Sequence, residues 1–184
     1  MRSSVLLLAA LVLLPVLSHA QSTEALQTFG SAVADSQKGS LIDALEGFNQ
    51  TLKIIERDPA SDSFTAKVHY NIGVTLYNLG LLPEAKTHLK KALRYSKNRY
   101  VEAHYVLGLT NLELNRIEDA ERSFRSSVVL DNRNGDAWYD LGRTYLALGD
   151  VENAKHAFAK ALKNGKAFRG TDGTTSAVPR VATY

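Results

Sequence analysis

The 184-residue sequence contains no cysteine. That absence excludes disulfide staples and a cysteine nucleophile, and it leaves no residue on which an N-terminal lipid could be carried. Charge of one sign is also scarce, with 22 Lys and Arg against 19 Asp and Glu. Such a balance gives little support to nucleic-acid binding. Beyond the first twenty residues no run is apolar enough to span a bilayer. Glycine-rich phosphate loops and the G-x-S-x-G nucleophile elbow are missing too, so no catalytic constellation presents itself and the chain is not expected to be an enzyme.

What is present begins with a leader. Arg2 gives a short positive start, Val5 to Leu17 is apolar apart from Pro15, and Ser18-His19-Ala20 sets small residues ahead of Gln21. This pattern predicts a cleavable secretory signal over residues 1–20. The mature chain is then expected to be soluble and exported. Its short n-region and leucine-rich core favour the periplasm, with the extracellular space as the alternative.

The next feature is a repeat. Gly73, Gly108 and Gly142 are 35 and 34 residues apart. One residue earlier stand Ile72, Leu107 and Leu141, and seven later Gly80, Asn115 and Gly149. Twelve later come Ala85, Ala120 and Ala154; sixteen later Leu89, Phe124 and Phe158; nineteen later Ala92, Ser127 and Ala161. Agreement of several columns at one period implies stacked helix pairs. Gly, Asn and Gly suit a left-handed residue that ends a first helix. Asp150 with Asn153, and Pro83, mark the starts of second helices. Leu89, Phe124 and Phe158 are expected to fill the gap to the following unit. A weaker unit upstream places Ala32 where the glycine belongs and keeps Gly39, Ala44, Phe48 and Thr51 in step. Its period to the next unit is seven residues too long, and Asp58-Pro59 predicts that Pro59 to Thr65 are inserted there.

The stretch from Asp136 to Leu162 carries Trp138, Leu141, Gly142, Tyr145, Gly149, Ala154, Phe158 and Ala161. In these residues the chain resembles the tetratricopeptide repeat (TPR) family over Ala66 to about Arg169, although Lys97, Asn132 and Lys166 stand where the family's unit-ending proline is usual. The resemblance implies an all-α fold: an α-solenoid, a right-handed superhelix of helix-turn-helix repeats with a concave groove. Three clear repeats (66–99, 101–134 and 135–168) and one degenerate N-terminal repeat (25–58) make up a domain over 21–169. The composition of residues 170–184 predicts a disordered tail.

In that fold the first helix of each pair faces the groove. The matching positions hold Phe29, Tyr70, Tyr105 and Tyr139 in one column, with Val33, Val74, Leu109 and Arg143 in a second. Ser36, Tyr77, Leu112 and Leu146 form a third. The candidate partner-binding residues are Phe29, Tyr70, Asn71, Val74, Tyr77, Tyr105, Leu109, Leu112, Tyr139, Arg143 and Leu146, because tyrosine joins rigid contact area to a hydroxyl. Packing between neighbouring helices is the competing reading of the same column. Some family members grip a terminal carboxylate with Lys, Arg and Asn. Here only Asn71 fits, and Glu102, Asp136 and Asp140 would repel that ligand. Those acids fit either a basic ligand or the helix dipole, and the dipole is the preferred reading.

Two basic groups, Lys86 to Arg99 and Lys155 to Arg169, read as a solvated outer face rather than a membrane-surface contact. His69 and His104 share the column of Trp138, so adjacent units are expected to bring them near each other. Too few neighbouring ligands accompany them for a metal, and no cofactor is expected. The resemblance therefore implies a non-catalytic adaptor or scaffold that holds a protein or peptide segment. The alternative is a structural subunit that self-assembles through its uncapped C-terminal repeat.

Overall fold

The computed structural model describes residues 23–58 and 60–165. The expected signal peptide over residues 1–20, Pro59, Lys166, Arg169 and the expected tail over 170–184 lie outside the described residues. Among the described residues the protein is all-α, with eight helices and no strand, the helix-turn-helix class of an α-solenoid. Helix α1 spans residues 23–37 and α2 Leu41–Arg57; α3 (Asp62–Asn78) and α4 (Leu82–Tyr95) follow. The second half contains α5 (Val101–Glu113), α6 (Ile117–Leu130), α7 (Gly135–Ala147) and α8 (Val151–Lys163). The chain divides after Ser96 into two compact units, each of two helical hairpins.

All four hairpin turns close the same way. Gly39, Gly80, Asn115 and Gly149 adopt φ of +83°, +75°, +53° and +77°. The next N–H reaches back to the carbonyl five residues earlier, as from Leu81 to Leu76, Arg116 to Asn111 and Asp150 to Tyr145, at 2.8–2.9 Å. This is the left-handed helix stop that the spacing predicts. The second helix restarts locally: Asp150 accepts from the Asn153 N–H at 3.1 Å, and Pro83 occupies the first turn of α4.

Within each hairpin the glycine column explains itself sterically. A Cβ on Gly73 would lie 2.8 Å from Leu89 Cγ, one on Gly108 2.5 Å from Phe124 Cε1, and one on Gly142 2.7 Å from Phe158 Cε1. These three partners are fully buried, and burying a side chain of that size contributes about 1.5–3 kcal/mol. Leu89, Phe124 and Phe158 thus sit against the glycine of their own hairpin. Phe124 also shares a core cluster with Ala137 and Leu141 of the following hairpin. In the first hairpin the roles are exchanged. Ala32 keeps its methyl, and Gly47 of α2 makes the room; a Cβ on Gly47 would stand 2.8 Å from Ala32 Cβ.

The seven extra residues are not an inserted loop. Helices α2 and α3 each have 17 residues, against 14 in α4 and α6 and 13 in α5 and α7. Three additional helical residues in α2 and four in α3 absorb the excess. Asp62 to Thr65 are helical because Ser61 caps α3, accepting from the Phe64 N–H at 3.2 Å. An N-cap there outweighs the turn signal of Asp58-Pro59.

Candidate functional site

The rows expected to face a partner sit on α1, α3, α5 and α7. Phe29, Tyr70, Asn71, Val74, Tyr77, Tyr105, Leu109, Leu112, Tyr139 and Leu146 are all half-buried, and Arg143 is exposed. The inward columns of the same helices behave differently: Ala66, Ile72, Ala103, Ala137 and Leu141 are buried.

In the first unit the Phe29 ring lies 5.6 Å from Phe48 and 5.3 Å from Phe64. Val33 and Tyr77 pack against the same cluster. Phe29 is therefore largely a packing residue. Asn71 donates to the Lys67 carbonyl one turn back at 2.9 Å, which occupies one of its amide hydrogens within its own helix.

In the second unit the tyrosines pack on their own hairpins, the competing reading of this column. The ring of Tyr105 lies 5.8 Å from Phe124, and that of Tyr139 lies 5.7 Å from Phe158. Each tyrosine thus packs against the aromatic ring of its own hairpin and is half-buried. The Tyr105 hydroxyl donates to Asp140 Oδ2 at 3.0 Å, tying α5 to α7. Arg143 approaches Asp140 Oδ1 at 3.6 Å and lies 5.9 Å over the Tyr139 ring. Asp140 is 8% exposed, so this carboxylate joins two hairpins. That role is more specific than the dipole or basic-ligand readings of the acids, and only the fold shows it. Glu102 and Asp136 are exposed in the first turns of their helices, where negative charge complements the dipole.

The histidines are arranged otherwise than the repeat columns suggest. His69 meets His88 of its own hairpin, Nδ1 to Nδ1 at 3.2 Å, and Tyr95 stacks on its ring at 5.6 Å. Burial, then His88, Lys91 and Arg94, hold the His69 pKa down at about 4; burial, then Lys91, lowers that of His88. Both rings are neutral near pH 7, and one Nδ1–H donates to the other Nδ1. His104 instead bonds the Asn98 carbonyl through Nε2 at 3.1 Å, as Trp138 donates Nε1 to the Asn132 carbonyl at 2.9 Å. This column therefore staples the loop six residues upstream in the second unit. Among the described residues no group of three or more His, Cys, Asp or Glu side chains could hold a metal ion.

One repeated column was missed in the sequence. Thr75, Thr110 and Thr144 each stand two residues after the glycine, are buried, and donate to the carbonyl four residues back at 2.7–2.8 Å. Their common spacing is the signal that would have found them. Of the basic residues, Lys90, Lys91 and Arg94 line the exposed side of α4, and Arg94 lies 5.3 Å over the Tyr95 ring.

Residues 70–137 match one tetratricopeptide-repeat family model and residues 135–164 match another. No curated protein matches the chain. Among solved structures, a crystal structure of MamA is similar over 73% of this chain and 74% of its own, at 24% identity and a TM-score of 0.63. MamA from Desulfovibrio magneticus RS-1, residue 41 to its end, is similar over 76% and 75%, at 19% identity and a TM-score of 0.66. YrrB, a TPR protein with an unusual peptide-binding site, is similar over 86% and 81%, at 20% identity and a TM-score of 0.64. At these identities the likeness is one of fold.

Proposed function

The chain carries tetratricopeptide repeats between residues 70 and 164, and from that premise we propose that it is a non-catalytic adaptor that binds a polypeptide segment. The observation that carries this reading is the half-open row of Tyr105, Leu109, Leu112, Tyr139, Arg143 and Leu146 on α5 and α7. Apolar side chains at helical spacing remain partly exposed there, beside inward columns that are sealed. Rigid aromatic and aliphatic area flanked by Arg143 suits an extended or helical segment with apolar anchors. The peptide-binding site of YrrB agrees with this use of the fold. Within the first unit by itself, Tyr70, Asn71 and Val74 make a corresponding half-buried row on α3.

The test uses a partner captured by the intact protein and measured by calorimetry. Leu109→Ser and Leu146→Ser leave the Tyr105–Asp140 link in place. Together they are expected to weaken the complex by about 1–3 kcal/mol with helix content unchanged. An unchanged affinity in a folded double variant would overturn the assignment of this face.

A second reading is self-assembly through the last hairpin, which Leu148 and Val151 favour: they are 40% and 48% exposed at the α7–α8 turn. We further propose export, by the leader pattern of residues 1–20, into the cell envelope or beyond. N-terminal sequencing of the protein from an envelope fraction is expected to begin at Gln21; a chain beginning at Met1 in the cytosol refutes export.

A further inference from the structure

His104 of α5 belongs to the column that holds His69 in α3 and Trp138 in α7. In the α3–α4 and α7–α8 hairpins the chain completes this corner itself. Tyr95 stacks on His69 with 20° between the rings. In the last hairpin the column residue is an indole, and the Asn132 carbonyl that it bonds also accepts from Asn164 Nδ2 at 2.7 Å. Tyr95, Leu130 and Asn164 are one column of the repeat.

The α5–α6 hairpin lacks that completion. Imidazole is smaller than indole, and Leu130, in the column of Tyr95 and Asn164, carries neither a ring nor a donor; it is 42% exposed, beside Val129 at 77%. An open cleft of about 530 Å³ remains, lined by Asn98, His104, Arg125, Ser126, Val129 and Leu130. None of these residues belongs to the tyrosine and aliphatic rows of the proposed partner face.

We propose that this cleft receives an aromatic side chain bearing a hydrogen-bond donor, tryptophan before tyrosine, from a partner polypeptide. The neighbouring hairpins show the complement: a ring over the column residue and a second donor on the loop carbonyl. His104 Nε2 donates to the Asn98 carbonyl, and a carbonyl oxygen has two lone pairs. Asn132 uses both of its own, so Asn98 has the capacity for one more donor. Val129 and Leu130 supply the apolar wall. Burial lowers the His104 pKa, so the ring face met by the guest is uncharged at neutral pH. Arg125 on the rim is engaged by Glu121 at 3.2 Å, which argues against an acidic guest. The open mouth favours a side chain carried on a chain, since free small ligands favour sites that enclose most of their surface.

N-acetyl-tryptophanamide is the probe, and the methyl resonances of Val129 and Leu130 in the folded protein are the readout. Saturable shifts with millimolar affinity are expected, as for a single side chain. His104→Trp fills the cleft from within and should lower that affinity about tenfold or more. Val129→Lys, at an exposed position that leaves the fold alone, should weaken it several-fold. The indole N-methyl analogue should bind several-fold more weakly than its parent. Equal binding of that analogue overturns the donor assignment, and no saturable shift up to ~50 mM overturns the cleft as a site. If the free protein already shows aromatic ring-current shifts at these methyls, and truncation after Gly165 removes them, the chain's own end is the occupant and the partner assignment falls.

Discussion

A methyl group is enough to distinguish the two kinds of glycine in this chain. Gly108 lies under the Phe124 ring, and a Cβ there would meet the ring at 2.5 Å. Gly108→Ala must push a fully buried phenylalanine aside and is expected to cost about 1–3 kcal/mol. Gly30, within α1, has nothing within 4 Å of where its Cβ would be. Gly30→Ala should add about 0.5–1 kcal/mol through helix propensity. Urea denaturation of the two variants checks both signs. Asn111 offers a third case. It is 2% exposed, its Nδ2 donates to Ser123, and its Oδ1 is buried without a hydrogen-bond partner in the protein. The equivalent residue in the previous hairpin is Leu76. Asn111→Leu should therefore raise stability by about 1–2 kcal/mol in the same assay. The His69–His88 pair, with His104 shifted the same way, makes stability depend on pH. Well above pH 6.5 neither the folded nor the unfolded chain protonates these rings. Between 6.5 and about 4 the unfolded chain binds a proton that folded His69 refuses, and His88 is shifted the same way. Stability should thus fall as pH drops through this window and level off below it. Urea midpoints measured against pH, with a shallower slope in a His69→Gln/His88→Gln variant, are the check.

At the scale of the element, the hairpin turn is the unit of design. Four turns share one left-handed residue and one reach-back hydrogen bond, and three use glycine. Asn115 is the exception at φ +53°; asparagine tolerates this region better than other side chains do, though less well than glycine. Asn115→Gly should stabilise the second unit by up to ~1 kcal/mol, and Asn115→Val should destabilise it by more than that. Thermal unfolding of the two variants must move in opposite directions. The lengthened α2 and α3 show the limit of local signals. Asp58-Pro59 announces a break, yet the break is short, because Ser61 restarts a helix at once. A proline marks where a helix cannot continue and does not say how soon the next begins.

For the whole molecule, the proposed uses rest on faces that stacking leaves open. If Leu148 and Val151 mediate assembly, light scattering of the protein at high concentration shows oligomers, and Leu148→Lys/Val151→Lys returns a monomer. A wild-type monomer under those conditions removes the reading. The helical pairs, their turns and the packing columns were legible in the residues. Gly80, Asn115 and Gly149 act through backbone sterics within a few bonds, and Gly73, Gly108 and Gly142 recur because close helix approach excludes a Cβ wherever it happens. Such constraints act at short range or repeat at every unit, so one sequence displays them three times over. Tertiary structure alone decided the rest. It moved the missing methyl from residue 32 to Gly47, spread the seven extra residues over longer helices α2 and α3, and paired His69 with His88. It also put the Tyr105 hydroxyl on Asp140 and left the corner beside His104 open. Each of these depends on which side chains meet across helices, a distance in space that no spacing along the chain encodes.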